Sequence, residues 1–208
     1  MGNIDLLSKR GISFCGSRKA SEKGIQTARE CAAEAVKLGV GTISGNAAGV
    51  DVNVHTATLE SGGWSIFVLA EGIHNFRIKR AYAEFWDWDR CLVVSQYNPD
   101  DRWQVWRAME RNNLIIALGI AMIVVEAGET GGTREAARQA QKAGKPLFAV
   151  TYENSVPGND AILSDGATIL GREKSSRKPN IRKVLNSAEK ARVQTGSAVG
   201  QAQQSLPL

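Results

Sequence analysis

The chain has 208 residues, 43% of them hydrophobic, enough to bury one full core. Its formal net charge is +5, from 26 basic and 21 acidic side chains, and no apolar run approaches the roughly 20 residues a membrane span needs. Residues 1–10 lack the apolar core of a signal peptide. Cys15, Cys31 and Cys91 stand isolated among apolar neighbours, which speaks against a disulfide framework or metal knuckle and points to a reducing cytoplasm.

Taken in order, the chain alternates short apolar runs with helical patterns. Residues 11–15 read as a strand ending at Gly16-Ser17-Arg18. Ser21 is an N-cap candidate, and residues 22–38 place Ala28, Cys31, Ala32, Ala35 and Leu38 on one helical face. Gly39 closes that helix, residues 40–44 form the next strand, and residues 50–59 a second helix stopped by Gly62-Gly63. A third strand follows at 64–69. This β-α-β-α-β order predicts a parallel sheet with right-handed crossovers and a ligand edge at the strands' carboxyl ends.

Residues 70–88 break the pattern, with a helix expected through Tyr82 and Phe85. A fourth strand at 90–95, a polar loop with Pro99, a helix at 103–118 and a very hydrophobic strand at 120–126 come next. A second glycine-rich turn at 127–132 leads into a helix at 133–143, a last clear strand at 146–150 and a helical turn at 160–164. The expected architecture is a Rossmann-like, doubly wound, mostly parallel α/β sheet in three layers, spanning residues 1–172. Residues 173–208 carry seven basic and two acidic side chains, so the basic character of the chain sits there while the first 172 residues balance at zero. This part reads as a flexible basic tail with one short helix at 179–193 and low-complexity, disordered sequence from 196.

The stretch Ser44-Gly45-Asn46-Ala47-Ala48-Gly49 joins a strand to a helix start. Its glycines are expected to let a bound group lie against bare amides at the positive end of the helix dipole, a site for phosphate. Arg18, directly after a strand and Gly-Ser, is a candidate ligand contact by the switch-point rule. Asp51 and His55, four residues apart on one helical face, read as structural: a carboxylate satisfying amides at the helix start, and a packed histidine. No nucleophile accompanies them, so no catalytic residue, metal or cofactor is assigned. Glu126 and Glu135 are acids near the expected anion site. Trp86, Trp88, Trp103 and Trp106 gather near the loop edge, as core, interface or base-stacking groups.

The order of these motifs resembles the DNA-processing protein A (DprA/Smf) family. Gly16-Ser17-Arg18, the Ser44 to Asp51 stretch with His55, and Gly62-Gly63 match its first half. Ala108-Met109-Glu110-Arg111-Asn112-Asn113-Leu114-Ile115 resembles its Arg-Asn helix, and Thr130-Gly131-Gly132-Thr133 its second glycine turn. The resemblance covers about residues 10–170. It implies a cytoplasmic protein, usually dimeric, that binds single-stranded DNA at the sheet's carboxyl edge and hands it to a recombinase. By the same resemblance the contacts are Gly16, Ser17, Arg18, Ser44, Gly45, Asn46, Gly49, Arg111, Asn112, Gly131, Gly132 and Thr133. Two family cations are absent, where this chain has Ala48 and Asn113, and each lost phosphate contact weakens binding and its salt dependence.

A related group, the lysine-decarboxylase-like phosphoribohydrolases, is the alternative, as an N-glycosidic hydrolase or nucleotide sensor. Its signature places a catalytic Glu three residues past a Gly-Gly-Gly-Thr-type turn and an Arg three past a Met. Here Glu135 lies two past Thr133 and Arg111 two past Met109, so each side chain is rotated by about 100° on its helix. A third reading makes the tryptophan-rich segment a protein interface.

Overall fold

The computed structural model describes the backbone of residues 1–204 and the side chains of residues 1–194. The elements are β1 (Gly11–Cys15), α1 (Glu22–Lys37), β2 (Gly41–Ser44), α2 (Val50–Glu60), β3 (Ser65–Val68), α3 (Arg80–Ala83) and β4 (Cys91–Val94). After them come α4 (Val105–Leu118), β5 (Met122–Val124), α5 (Gly132–Lys142), β6 (Leu147–Val150), α6 (Pro157–Ser164), β7 (Thr168–Leu170) and α7 (Ile181–Gln204). Short 3-10 turns lie at Ile4–Ser8 and Ile73–Asn75.

The strands line up as β4-β3-β2-β1-β5-β6-β7, and every neighbouring pair is parallel. The expectation of a mostly parallel doubly wound sheet is therefore met by an all-parallel one. Parallel strands need both faces covered, and β2, β3 and β6 are buried at every residue. On one face Ile12, Phe14, Ile123 and Phe148 pack with Ala28, Cys31 and Ala32 of α1 and with Val50 and Val54 of α2. On the other, Ile43, Ile66, Met122 and Val124 meet Ile115 and Ile116 of α4 and Ala136, Ala137 and Ala140 of α5. Burying a side chain such as Phe14 or Phe148 contributes about 2 to 3 kcal/mol each.

Two features at the carboxyl-terminal end extend the expectation. β7 is a three-residue edge strand with Thr168 and Ile169 exposed, so it lacks the buried run that marks the other strands. Within the stretch read as a basic tail, α7 begins at Ile181 and docks on the core. Ile181, Val184 and Ala188 are buried against the α1 layer with Leu185 packed beside them, a one-face helical spacing under a charged composition. The helix backbone runs to Gln204, well past the expected end at 193, while residues 205–208 lie outside the described part of the chain.

The order of strands reverses between β1 and β5. The loops after these two neighbours leave toward opposite sides and open a crevice at the sheet's carboxyl edge.

Candidate functional site

That crevice is a cleft of about 480 Å³. Gly16, Ser17 and Arg18 enter it from β1, Arg111 and Asn112 from α4, and Gly131, Gly132 and Thr133 from the start of α5. Asn46 lines an adjoining hollow of about 210 Å³ that shares Arg18, Ala47, Trp103 and Arg111 with the main cleft. Of the two arginines in the cleft, Arg18 is exposed and Arg111 is buried.

Backbone bonds fix the loops relative to one another. Ser17 N donates to Glu126 O at 2.7 Å, and Val50 N donates to Ser17 O at 3.2 Å. The residue after β1 is thus tied both to the end of β5 and to the first turn of α2. Gly49 permits this crossing. Its φ of 72° falls in the left-handed region, and a Cβ there would run into the Ser17 and Arg18 backbone.

The turn from Ser44 to Gly49 is not an open cradle. Asp51 folds back on it, accepting from Ala47 N at 3.2 Å and Ser44 Oγ at 3.0 Å, and so provides the anion at the start of α2 itself. Ser44 is fully buried, its hydroxyl within hydrogen-bond distance of both Asp51 Oδ1 and Phe14 O. Gly45 carries no side chain because the Arg111 guanidinium and the Asp51 carboxylate occupy the space a Cβ would need. Arg111 is anchored beneath the turn by donating from Nη1 to Val68 O at 2.5 Å. Burial pushes the Asp51 carboxyl above the usual range, opposed by the nearby Arg111 charge and the bonds from Ala47 and Ser44. Asn46 is clamped by Lys79, whose ammonium donates to its carbonyl, and by Tyr82 Oη, which donates to Asn46 Oδ1 at 2.9 Å.

His55 completes this buried group. Gly45 O can only accept, so at 2.6 Å His55 Nε2 carries the proton and donates; Nδ1 then accepts from Ser65 Oγ at 2.7 Å. The ring stacks on Phe67 with centroids 3.7 Å apart. Burial lowers its pKa to about 3. Asp51 and His55 are the structural pair that their helical spacing suggested.

The second glycine turn is different. Gly131 caps α5 with φ of 105°, and among the described residues no side chain bonds to the helix's first amides and no atom lies near either Gly131 or Gly132 where a Cβ would stand. Asn112 Nδ2 is 3.5 Å from Gly132 O. The uncapped amide end of an 11-residue helix therefore opens on the cleft, the geometry that binds phosphate groups. Opposite it, the Arg18 guanidinium lies 5.0 Å from the Trp103 ring centre. Trp103, Val105, Trp106 and Met109 are all exposed, and the first two and Met109 line the cleft. The tryptophans divide by environment: Trp86 packs against Phe67, Phe76 and Tyr82, whereas Trp103 and Trp106 remain accessible. Val105 and Met109 are cleft residues that the motif pattern alone did not assign to the site, since their side chains read as ordinary apolar positions of a helix.

Neither glutamate weighed in the sequence lines the cleft. Glu126 braces the N-cap of α1: it accepts from Ser21 N at 2.9 Å and Ser21 Oγ at 2.6 Å, while Ser21 Oγ accepts from Gly24 N at 3.0 Å as the expected cap. Glu135 lies 3.5 Å from Arg138 Nη1 and accepts from Gln139 Nε2 at 3.4 Å. The Cys15 thiol on the cleft wall is pushed up to about 12 by burial, with Asp51 adding to the shift. Among the described residues no cluster of His, Cys, Asp and Glu could hold a metal, and no helix is long and apolar enough to cross a membrane.

A doubly wound, all-parallel sheet with an uncapped helix start open at its switch point places the chain in the Rossmann-like class of α/β folds. The match to known proteins is more specific. The model of the family described as DNA recombination-mediator protein A matches residues 1–179, and the chain belongs to that family. It is 29% identical over 174 residues to DNA processing protein DprA of Streptococcus pneumoniae, covering 81% of this chain and 61% of that protein. Against DNA processing protein DprA of Bacillus subtilis the identity is 31% over 179 residues, covering 81% of this chain and 59% of the relative. The chain thus spans about three fifths of the length of these relatives. The structure of DNA processing protein A from Helicobacter pylori, described for its single-stranded DNA binding mode, superposes with a TM-score of 0.75 at 26% identity, covering 91% of this chain and 85% of that one. The family resemblance and the fold read from the motifs are both borne out.

Proposed function

We propose that this chain binds single-stranded DNA in the switch-point cleft and does no chemistry on it. The observation that carries the reading is the uncapped start of α5, open to the cleft and faced by the exposed Arg18 and Trp103. One backbone phosphate is held by the amides of Gly132 and Thr133, a second by Arg18 and Ser17, and a base stacks on Trp103. Phosphate groups on cations and amides with bases on aromatic faces is the chemistry that binds single strands without reading their sequence. Gly16 and Asn112 shape the wall between these contacts. Arg111, Gly45, Gly49, Ser44 and Asn46 act from beneath, holding the neighbouring turn. Family membership and the DNA-binding relative support the same reading. The reading extends to a cytoplasmic homodimer that passes the strand to a recombinase, which light scattering and recombinase pull-down test separately.

The direct test is fluorescence anisotropy of a labelled single-stranded oligonucleotide at two salt concentrations. Salt-sensitive binding that weakens with Arg18→Ala is expected. Absence of binding, or binding indifferent to Arg18, overturns the assignment of this cleft.

A further inference from the structure

We infer that the DNA track does not end at the cleft but continues along the carboxyl edge to a second phosphate site in the loop after β7. This rests on the single-stranded DNA reading. A second cavity of about 420 Å³ lies between the start of α1 and the loop that follows β7, and Lys23, Arg172, Lys174 and Arg177 line it. It is joined to the main cleft by a hollow of about 460 Å³ that shares Ser17 and Gly128 with the cleft and Lys23 and Tyr152 with the second cavity. The path is therefore continuous across β1, β5, β6 and β7. Three strand spacings make it about 14 Å long.

The loop itself is built to present charge. Glu173 N donates to Lys178 O at 2.9 Å, Arg177 N to Glu173 O at 2.9 Å, and Arg172 Nη1 to Arg177 O at 2.8 Å. These bonds hold Arg177 at φ of 57°, a conformation non-glycine residues seldom adopt. Arg172 is also committed to Glu30 at 2.6 Å, and Lys23 to Glu153 at 3.2 Å. Lys174 and Arg177 are exposed, and neither side chain makes an ion pair among the described residues. The acids along the path are already engaged: Glu126 by Ser21, Glu153 by Lys23, and Glu173 by Ser176. A polyanion leaving the α5 turn meets two uncommitted cations there.

The test is anisotropy on the full chain with labelled oligonucleotides of about 4 and about 16 nucleotides, the range one binding domain covers. The double variant Lys174→Gln, Arg177→Gln is expected to leave binding of the short strand unchanged. For the long strand it should weaken binding about tenfold and reduce the slope of log affinity against log salt by about 1.4, two phosphates' worth. Arg177→Lys with Lys174 intact should restore both. Equal effects at the two lengths, or none at either, overturn the extended track. If the native chain binds neither length, the cleft reading falls with it. If Arg18→Ala abolishes binding but the double variant matches the native chain on the long strand, only the extension falls.

Discussion

The Arg18 guanidinium stands 5.0 Å from the centre of the Trp103 ring, so a cation from the turn after β1 rests on an aromatic face from the segment before α4. Both side chains are exposed, and their contact spans the mouth of the cleft. A base stacking on Trp103 would bring its own phosphate beside Arg18. Trp103→Ala is expected to weaken single-stranded DNA binding about tenfold, within the range for one lost base stack. Trp103→Phe should keep most of the affinity. Anisotropy measures both, and quenching of tryptophan fluorescence on binding should vanish in the alanine variant.

Gly132 separates stability from binding. Among the described residues no atom stands where its Cβ would be, and its φ lies outside the left-handed region, so alanine fits the first turn of α5. Gly132→Ala should raise stability by about 0.5 kcal/mol through the unfolded chain while a methyl group at the amide end weakens DNA binding. A thermal melt and an anisotropy titration on the same variant check the two directions. A variant that binds like the native chain would remove this helix start from the site.

Arg111 is expected to behave as a buried support. Replacing it with methionine leaves Val68 O without its donor and Asp51 without the neighbouring positive charge. The loss should be about 3 kcal/mol in denaturant unfolding. Measured where the variant remains folded, the salt dependence of DNA binding should match that of the native chain. A reduced slope would show Arg111 in direct contact with phosphate.

His55 gives the fold a pH dependence whose sign follows from its burial. Its pKa of about 3 in the folded chain lies below the ordinary value of 6.5, so between these values the unfolded state binds more protons. Stability from this group is complete above about pH 6.5 and falls as the pH drops toward 3, by on the order of 1.4 kcal/mol per unit. Asp51, with its pKa raised, contributes in the opposite sense from its ordinary pKa upward. Urea unfolding between pH 7 and pH 5, compared with His55→Gln, isolates the histidine, and the variant should show the flatter profile.

The sheet was legible in the sequence because its strands are buried runs closed by glycine or polar turns, as at Gly11–Cys15, where expectation and structure coincide. β7 was hidden because two of its three residues face solvent. The docked part of α7 was masked by composition: Ile181, Val184 and Ala188 carry the helical period through a segment whose charge reads as solvated. The site was harder. Spacing identifies both glycine turns, but it does not show which one the chain fills itself. That depends on Asp51 and Arg111, 60 positions apart in sequence, meeting over Gly45. The open turn at Gly131 and Gly132 is recognised only by the lack of such a neighbour.

Ser17 bonds through its main chain to both Glu126 and Val50. Because no side chain takes part in that junction, substitution at the surface leaves the relative position of the three loops intact. Exposed positions such as Ala48 and Asn113 can then take a charged side chain without remodelling the cleft. Affinity in such a scaffold can drift by single replacements, each heritable on its own, while the cavity that receives the ligand keeps one shape.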